Sequence, residues 1–208
     1  MKITYLGHAS FLIESKDGDV VFDPYYDGFV PGLTFPKGIS ADLCICSHSH
    51  RDHIASEYIK IKPNPKKINF SLFSIPHDKE NGAKRGMNNI CSCFLEGKQI
   101  VHLGDIGIVD RSVLENIKHC DVIFVPINGF FTISSKEAKE LFDFVEPKLI
   151  IPMHYEISDR GIGYPDGGQI NQFISLFSNN LKVKKSSINL DDYLNKTDSV
   201  IFEEIYKN

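Results

Sequence analysis

The chain has 208 residues, of which 42% are hydrophobic and 24% are charged, and its formal net charge at pH 7 is -4. This length allows a substantial buried core, so we expect a single domain over residues 1–208 that needs no disulfide bonds. The small negative charge argues against a general attraction to nucleic acid or anionic membranes. The basic stretches "KIKPNPKK" and "KVKK" have no interleaved aromatic residues, so we expect solvated loops there.

The first quarter of the chain consists of short runs that are typical of β-strands. "KITYL", "SFLIES" and "DVVFDP" are separated by Gly7 and by "KDGD", a turn signal that favours a hairpin. The next stretch, "YYDGFVPGLTFPKG", is rich in turn-forming residues and predicts a loop. "ADLCICS" then predicts another strand, and "HIASEYIKI" after it predicts the start of a helix.

The rest of the chain begins with strands and then alternates strands with helices. "KKINFSLFSI" predicts a strand before the polar loop "PHDKENGAKRGMNN", and "ICSCFLE" and "QIVHLGD" predict a second hairpin. "DRSVLENIKH" and "SSKEAKELFDFV" have helical spacing, and Ser134 or Ser135 can cap the second helix. "DVIFVPI" and "KLIIPM" predict buried strands, and "SVIFEEIY" a last strand. This order indicates an α/β protein with two sheets covered by helices.

The cysteines and the opening stretch indicate a compartment. The five cysteines are odd in number, and one residue separates Cys44 from Cys46 and Cys91 from Cys93, whereas zinc knuckles usually have two intervening residues. We therefore expect reduced, mostly buried thiols. The opening stretch has no long apolar core like that of a signal peptide, and no run is long enough for a membrane span. We expect a cytoplasmic protein with no membrane contact.

Three histidines and an aspartate lie within six consecutive positions in "DLCICSHSHRDHIAS": His48, His50, Asp52 and His53. We expect the strand to end at Ser47 and to place His48 and His50 on one side, because side chains two residues apart share a face. Those two nitrogens suit one metal, while Asp52 and His53 follow where the chain turns and can point to a neighbouring position. This pattern is far more specific than scattered histidine and aspartate. One short segment is therefore predicted to serve two metal ions.

The stretch "HSHRDH" resembles the H-x-H-x-D-H hallmark of the metallo-β-lactamase-fold hydrolases. "SIPHD", "VHLGDIG" and "IIPMHYE" place His77, Asp105 and His154 after strands, in the order that this superfamily uses. "TYLGHASFLIES", "VVFDPY" and "VPINGFFTIS" are most similar to small single-domain members, a branch that includes ascorbate-6-phosphate lactonase. The resemblance covers residues from about 3 to 156. It implies a four-layer αββα sandwich of two mixed β-sheets flanked by helices, with the site along the open edge between the sheets.

The resemblance also implies two metal sites that share one carboxylate. Asp105 would bridge the two ions, and each ion would have three further ligands: His48, His50 and His77 for one, and Asp52, His53 and His154 for the other. These nitrogen and oxygen ligands suit two divalent ions, zinc foremost, and they also accept manganese, iron or nickel. His102 is expected to pack or to support a ligand, and it would be the substitute if His77 were wrongly assigned.

This ligand set predicts hydrolysis. Two cations bridged by a carboxylate can lower the pKa of a shared water toward neutrality, so hydroxide would be the nucleophile. One ion would polarise a carbonyl or phosphoryl oxygen and stabilise the charge that develops on it. Asp105 and Asp52 are the predicted catalytic residues, and Asp52 would carry the proton. We therefore expect a metal-dependent hydrolase that acts on a small molecule.

Further residues are expected to support the ligands or to contact the substrate. His8 in "LGHAS" is a candidate for either role, and Asp23 in "FDPY" is expected to orient the histidine loop through hydrogen bonds. His119 is expected to be only a favourable charge at the end of a helix. Substrate contacts are expected among residues of the loops near the site: Tyr25, Tyr26, Phe29, Lys79, Lys84, Arg85, Phe131, Thr132 and Arg160. Lys84 and Arg85 are the candidates for binding a phosphate group.

Several branches of the superfamily fit poorly. Secreted zinc β-lactamases have a cysteine where Asp105 stands, and flavodiiron proteins have glutamate in place of His50. Too little chain follows His154 for the added domain of glyoxalase II, and there is no basic insertion like the RNA-binding arm of tRNA-processing members.

Two hydrolytic interpretations remain, because the same site can perform either reaction. The first is a lactonase-like enzyme that opens a small ester ring, with or without a phosphate group, and the second is a phosphodiesterase. A third interpretation, from a different class, is a non-catalytic metal-binding or regulatory module. The sequence leaves the oligomeric state open.

Overall fold

The computed structural model describes residues 1–164 and 170–207. Two larger sheets and a two-stranded ribbon contain the strands, which in chain order are β1 Lys2–Gly7, β2 Ser10–Glu14, β3 Val20–Phe22, β4 Ser40–Ala41, β5 Leu43–Ile45, β6 Lys60–Ile61, β7 Phe70–Pro76, β8 Met87–Leu95, β9 Lys98–His102, β10 Val122–Pro126, β11 Leu149–Met153, β12 Asn180–Val183, β13 Ser187–Asn189 and β14 Ser199–Phe202. The α-helices are α1 Arg111–Leu114, α2 Ser135–Val145 and α3 Ile170–Ile174, and the 3₁₀ helices are Ser56–Tyr58, Glu115–Ile117, Ser158–Arg160 and Leu190–Asp192.

Both larger sheets are mixed. The first has the order β13-β1-β2-β3-β5, with antiparallel pairs except for the parallel pair β3 and β5. The second has the order β12-β14-β11-β10-β9-β8-β7, in which β8 is antiparallel to both β7 and β9 while the other pairs are parallel. β7, β9 and β11 therefore run in one direction, so the chain leaves all three strands at the same edge of the sheet.

The inner faces of the two sheets enclose the largest apolar cluster. Phe11 and Phe22 of the first sheet meet Phe124 of β10, and the ring centroids of Phe11 and Phe124 are 4.3 Å apart. Such an aromatic pair contributes about 0.5–1.5 kcal/mol beyond its buried area. A second cluster joins the outer face of the second sheet to the helices, with Ile123 of β10 and Leu141 of α2 among its members.

The outer face of the first sheet carries a third apolar cluster. Leu6 and Val21 of the strands lie there with Tyr25, Phe35 and Ile59, which belong to irregular chain. Within the described ranges, this loop and the ribbon of β4 and β6 cover the face instead of an α-helix. The predicted fold class, an α/β sandwich of two mixed sheets, is confirmed, and the described α-helices pack on the outer face of the second sheet.

Helix α2 forms where its local sequence favours it. The Ser134 hydroxyl accepts a hydrogen bond from Glu137 N, and the Glu137 carboxylate accepts one from Ser134 N, which is a capping box. Ala138, Leu141 and Val145 are buried along one side, and the helix ends at Glu146, whose φ is +52°. This cap was predicted at Ser134 or Ser135, and the structure selects Ser134.

Three local predictions differ from the structure. The helix expected from "HIASEYIKI" is wrong, because only the 3₁₀ helix Ser56–Tyr58 forms before β6. Lys60 N donates to Ile39 O and Lys62 N donates to Ala41 O, so pairing with β4 competes successfully with helix formation. β8 begins at Met87, inside the predicted polar loop, and β12 and β13 were not predicted.

The cysteines are all free thiols. Cys91, Cys93 and Cys120 are buried, and burial raises the pKa of Cys93 and the pKa of Cys120 to about 12. These two thiols are therefore protonated and unreactive at neutral pH. Among the described residues, no helix has the length and apolar character needed to cross a membrane.

Candidate metal centre

The histidine motif lies in a turn rather than at the end of a strand. β5 ends at Ile45, and the bends and turns that follow are closed by a 2.9 Å hydrogen bond from His53 N to His50 O. The expectation that a strand face aligns His48 and His50 is therefore wrong. The turn nevertheless brings His48 Nε2 to 3.0 Å from His50 Nδ1. Two nitrogens on one tetrahedral zinc lie roughly 3.3 Å apart, so this spacing suits a shared cation.

Asp23 orients the turn that carries the histidine motif through hydrogen bonds to Ser47 and His53. Its Oδ1 accepts a hydrogen bond from Ser47 N at 2.7 Å, and its Oδ2 accepts from Ser47 Oγ at 2.6 Å and from His53 Nδ1 at 2.8 Å. Because the Ser47 hydroxyl donates to Asp23, it accepts from His48 Nδ1, 2.9 Å away. Both imidazoles therefore carry hydrogen on Nδ1 and direct Nε2 into the site, an arrangement common for histidines that bind metals.

The other three predicted ligands lie at one edge of the second sheet. His77 follows β7, Asp105 follows β9 and His154 follows β11. Asp105 Oδ2 lies 3.1 Å from Nε2 of both His53 and His154, 3.5 Å from His77 Nε2 and 4.0 Å from His48 Nε2. One carboxylate oxygen thus lies between the motif turn and the ends of two strands.

Two groups of candidate ligand atoms surround this carboxylate. Within each group the atoms lie within 4.8 Å of one another, and the groups are His48, His50 and His77, and His8, Asp52, His53 and His154. A third group of the same kind, Asp23, His48 and His53, contains the carboxylate that already accepts a hydrogen bond from His53 Nδ1. Several buried atoms here lack a hydrogen bond of good geometry among the described residues. Asp105 Oδ1 and His77 Nδ1 have no such bond, and His8 Nε2 and His53 Nε2 only face carboxylate oxygens, at 3.3 Å and 3.1 Å. Buried polar atoms are normally satisfied, so these atoms fit a bound cation. Imidazole nitrogens with carboxylate oxygens suit zinc and similar divalent metals.

The electrostatics of the site favour positive charge. Burial disfavours the charged form of His53, but Asp105 and Asp52 outweigh it and raise the pKa of His53 well above its ordinary value. Burial also opposes ionisation of Asp105, but His154 and His53 hold the pKa of that carboxyl well below its usual range. His53 Nε2 is thus a position where the carboxylates stabilise a proton, or a metal that competes for the same lone pair.

Two other imidazoles are kept neutral. Burial, assisted by His53, lowers the pKa of His48 to about 3. Burial and His154 lower the pKa of His8 to about 4, although Asp52 opposes this shift. Neutral imidazole is the form that binds metals, so both rings are ready to act as ligands at neutral pH.

His8 belongs to the second group and also accepts a hydrogen bond from the backbone amide of His154, another member of that group. The φ of His8 is +56°, a left-handed conformation that costs a residue other than glycine about 1–3 kcal/mol. Its carbonyl oxygen accepts a hydrogen bond from His154 N at 3.1 Å, and its Nε2 lies 3.3 Å from Asp52 Oδ2. The rings of His8 and His154 have centroids 4.0 Å apart. The strained backbone of His8 therefore serves to place His154.

His102 lies in the core, away from both groups. Its Nδ1 accepts from Gly104 N at 3.1 Å, its Nε2 donates to Ala9 O at 2.8 Å, and its ring stacks on Phe22. The structure thus groups His77, and not His102, with His48 and His50. His119 is exposed and lies 3.4 Å from a Glu146 carboxylate oxygen.

A cavity of about 200 Å³ opens onto the candidate ligands. Its walls are formed by His50, Asp52, His77, Arg85, Asp105, Phe131, His154 and Tyr164. Tyr164 was not predicted, and its hydroxyl lies 3.0 Å from Asp52 Oδ2 and 2.9 Å from Phe29 O. The glycine-rich stretch around it, "RGIGYPDGG", offers no chemical pattern in the sequence, so only the tertiary structure reveals this residue.

The basic residues predicted to contact the substrate differ in whether they line the cavity. Lys79 pairs with Glu137, Lys84 pairs with Glu80, and both lysines are mostly exposed. Arg160 lies 3.4 Å from Glu204 and lines a different cavity. Of the predicted basic residues, Arg85 alone lines the cavity at the ligands.

The other candidates are mostly outside the cavity. Tyr25 is buried, and its hydroxyl donates to Leu6 O at 2.8 Å. Tyr26 and Phe29 line a separate pocket beside Arg51. Thr132 is buried, and its hydroxyl accepts a hydrogen bond from Asn128 N within the loop that carries Phe131. It therefore supports the wall instead of forming it.

The family follows from this fold, this site and a direct match. Residues 2–154 match the β-lactamase superfamily domain, which is well over half of the chain and includes all the predicted metal ligands. The chain belongs to the β-lactamase superfamily and has the metallo-β-lactamase fold. The resemblance to this superfamily that the residues indicated is confirmed.

Individual relatives agree with this assignment. A UPF0173 metal-dependent hydrolase from Carboxydothermus hydrogenoformans is 32% identical, and the match covers 74% of this chain and 84% of the relative. A Thermotoga maritima structure, reported as a candidate Zn-dependent hydrolase of the metallo-β-lactamase superfamily, has a TM-score of 0.74 at 26% identity and covers 97% of both chains. Igni18, a metallo hydrolase from Ignicoccus hospitalis, has a TM-score of 0.61 at 17% identity, covering 90% of this chain and 98% of that one, which shows a shared fold alone.

Proposed function

We propose that this protein is a metal-dependent hydrolase that cleaves a small ester or lactone with the help of two divalent metal ions, zinc foremost. The observation that supports this most directly is the convergence of the predicted ligands around Asp105 Oδ2, in two groups that open into one cavity. The named metal-dependent hydrolases among the relatives support the same proposal.

The residues divide naturally between the two ions. His48, His50 and His77 would hold one, and Asp52, His53 and His154 would hold the other. Asp105, which belongs to neither group, would be shared between the ions. The shared role of Asp105 rests on its position, because its Oδ2 approaches both His77 and His154 within 3.5 Å. His8 offers an additional nitrogen to the second group.

The two ions, when bound, would supply acidification of a water and polarisation of the substrate carbonyl. The protein's own residues would hold and move protons around that reaction. Asp52 is the candidate proton carrier, because its carboxylate contacts His8 Nε2 and the Tyr164 hydroxyl and also faces the cavity. His8 and His53 surround it, and His53 together with His8 holds the pKa of Asp52 well below its usual range despite burial. Asp52 is therefore ionised at neutral pH, and because a carboxylate with so low a pKa is a weak base, it would hold a proton only transiently.

The cavity suits a small substrate. Its volume of about 200 Å³ is below the range of roughly 300–1,000 Å³ that is common for sites of drug-sized ligands. Phe131 and Tyr164 supply an aromatic wall opposite the ligands, with ring centroids 5.0 Å apart. A compact ester or lactone ring fits these dimensions better than a polymer.

The test compares a simple lactone with a chromogenic phosphodiester, using zinc-loaded and manganese-loaded protein. Asp105→Ala is the test variant, and Asp143→Ala on the exposed surface of α2 is the matched control. We expect lactone hydrolysis that depends on metal, with about two zinc ions per chain, and loss of both metal and activity in Asp105→Ala only.

Each other outcome has a definite meaning. Full metal content and full activity in Asp105→Ala would refute a shared carboxylate. Cleavage of the phosphodiester alone would show that the protein is a phosphodiesterase and not an esterase or lactonase. Two bound metals without turnover of either substrate class would identify a metal-binding module and refute the proposed hydrolase activity.

A further inference from the structure

The loop between β7 and β8 is held rigid by one buried carboxylate. Asp78 is only 3% exposed, and it accepts hydrogen bonds of 2.7–2.9 Å from four backbone amides: Glu80 N, Gly82 N, Lys84 N and Arg85 N. These bonds hold the pKa of the Asp78 carboxyl below its usual value in spite of burial. Because Asp78 directly follows His77, the loop is fixed relative to the ligands.

The three basic side chains of this loop differ in their partners. Lys79 pairs with Glu137 at 2.7 Å, and Lys84 pairs with Glu80. Arg85 has no carboxylate partner within residues 1–164 and 170–207, and it is half-buried. Its guanidinium carbon instead lies 5.7 Å from the ring centroid of Phe130 and 5.4 Å from that of Phe131.

This packing holds the guanidinium beside the candidate reaction site. Phe131 is the aromatic wall of the cavity, its ring centroid is 6.4 Å from that of His154, and Arg85 lines the same cavity. Stacking on aromatic faces limits the rotamers of an arginine while leaving its N–H donors free. Arg85 is therefore a permanent, pre-positioned cation beside His77 and Asp105, and its guanidinium N–H donors have no hydrogen-bond partner among residues 1–164 and 170–207.

We infer that Arg85 binds an anionic group of the substrate, a carboxylate or a phosphate, which lies outside the bond that is cleaved. This inference rests on the proposed hydrolase function and narrows its substrate class to anionic esters or lactones. A guanidinium recognises both oxyanions through paired N–H···O hydrogen bonds, which are among the stronger polar contacts in proteins. A neutral substrate would offer this guanidinium no oxyanion to bind.

Three aryl acetates test the inference because they share the scissile bond and differ in charge. 4-Acetoxybenzoate is anionic and 4-acetoxybenzamide is neutral, and 4-acetoxyphenyl phosphate separates phosphate from carboxylate recognition. In zinc-loaded wild type, we expect a higher kcat/KM for the anionic acetates. Arg85→Met should reduce kcat/KM for the anionic acetates about 10- to 100-fold, mainly through KM, and change that for the amide less than about twofold.

Two further variants identify the cause. Lys84→Met removes the same charge from the same loop but at a paired, exposed position, so it should retain the preference for anions. Arg85→Lys keeps the charge without the planar fork and should have an intermediate KM. An equal loss on anionic and neutral acetates in Arg85→Met, or the same loss in Lys84→Met, would overturn the inference.

A binding measurement separates this inference from the proposed reaction. Phenylphosphonate and benzoate are titrated calorimetrically into zinc-loaded wild type, Arg85→Met and Lys84→Met, and the zinc content of each is measured. Weaker binding of at least one anion in Arg85→Met alone, at equal zinc content, supports the anion site even if no acetate is hydrolysed. Unchanged binding of both anions would refute it, whereas absence of zinc-dependent hydrolysis of any ester would count against the proposed function only.

Discussion

Asp23 and His53 are joined by a hydrogen bond of 2.8 Å between the carboxylate Oδ2 and Nδ1, and the same carboxylate holds the amide and hydroxyl of Ser47. His53 and His48 are thereby locked in one orientation through a single buried residue. Asp23 directly follows β3 and lies thirty positions before His53. The turn that carries the candidate ligands therefore depends on the packing of a neighbouring strand.

We therefore expect Asp23→Asn to weaken zinc binding about 10- to 100-fold, since loss of such supporting hydrogen bonds typically has this effect. The amide oxygen can still accept from Ser47 N, but the NH2 group that replaces Oδ2 can accept from neither Ser47 Oγ nor His53 Nδ1. Asparagine also tolerates the φ of +44° at this position, so the backbone should be undisturbed. Zinc affinity measured by competition with a chelator, with Asp143→Asn as control, tests this; equal affinities would contradict the role given to Asp23.

Tyr164 links Asp52 to the loop that contains Phe29. Its one hydroxyl proton faces two acceptors, Asp52 Oδ2 at 3.0 Å and Phe29 O at 2.9 Å. We expect Tyr164→Phe to weaken binding of one of two zinc ions about tenfold and to leave the other unchanged, because only the group of Asp52 loses a contact. The exposed Tyr206→Phe is the control. A zinc titration in which both ions weaken equally would count against this selective effect.

Gly107 passes close to the backbone that carries His77. A Cβ at this position would lie 2.3 Å from Asp78 N and 2.4 Å from His77 C, so alanine forces the two segments apart. We expect Gly107→Ala to lower the free energy of unfolding by about 1–3 kcal/mol, as overpacking does, and to reduce zinc content. Gly38→Ala is the matched control, because its Cβ meets open space and only its φ of +73° is strained. Normal zinc content in Gly107→Ala would show that His77 tolerates the displacement.

Asp42 stabilises the start of the strand that leads to the histidine turn. Burial raises its pKa, but hydrogen bonds from Lys62 Nζ, Lys66 N and Asp19 N outweigh burial and lower the pKa from 3.8 to about 2. A carboxyl whose pKa is lowered by folding contributes stability above its unfolded pKa and loses that contribution as the pH falls toward the folded value. Asp42→Asn should therefore be less stable at pH 7 by about 1–3 kcal/mol.

The pH dependence distinguishes this effect from simple loss of packing. The difference between wild type and Asp42→Asn should be constant above about pH 5 and should narrow between pH 4 and the folded pKa of about 2. Denaturant unfolding at pH 7, 5, 4 and 3 measures it, with Asp143→Asn as control. A difference that stays constant down to pH 3 would show that the charge of Asp42 is not responsible.

Much of the fold could be predicted because its signals are local. The first strands alternate or run apolar between turn residues, and the capping box of Ser134 and Glu137 marks the start of α2 within four residues. The helix predicted after His53 failed because apolar spacing alone cannot reveal a competing partner. Here the partner is β4, which precedes the motif and pairs with Lys60 and Ile61.

The sequence by itself determined the chemistry of the candidate centre: which residues can bind a metal, in which order they follow strands, and that the chain resembles this superfamily. Only the tertiary structure decided that His8 joins Asp52, that Tyr164 reaches the same carboxylate, and that Arg85 faces the cavity while Lys84 does not. The reason is physical. Ligand identity depends on side-chain chemistry, which the sequence states directly, whereas these contacts join segments far apart in the chain and depend on how the two sheets and their loops pack.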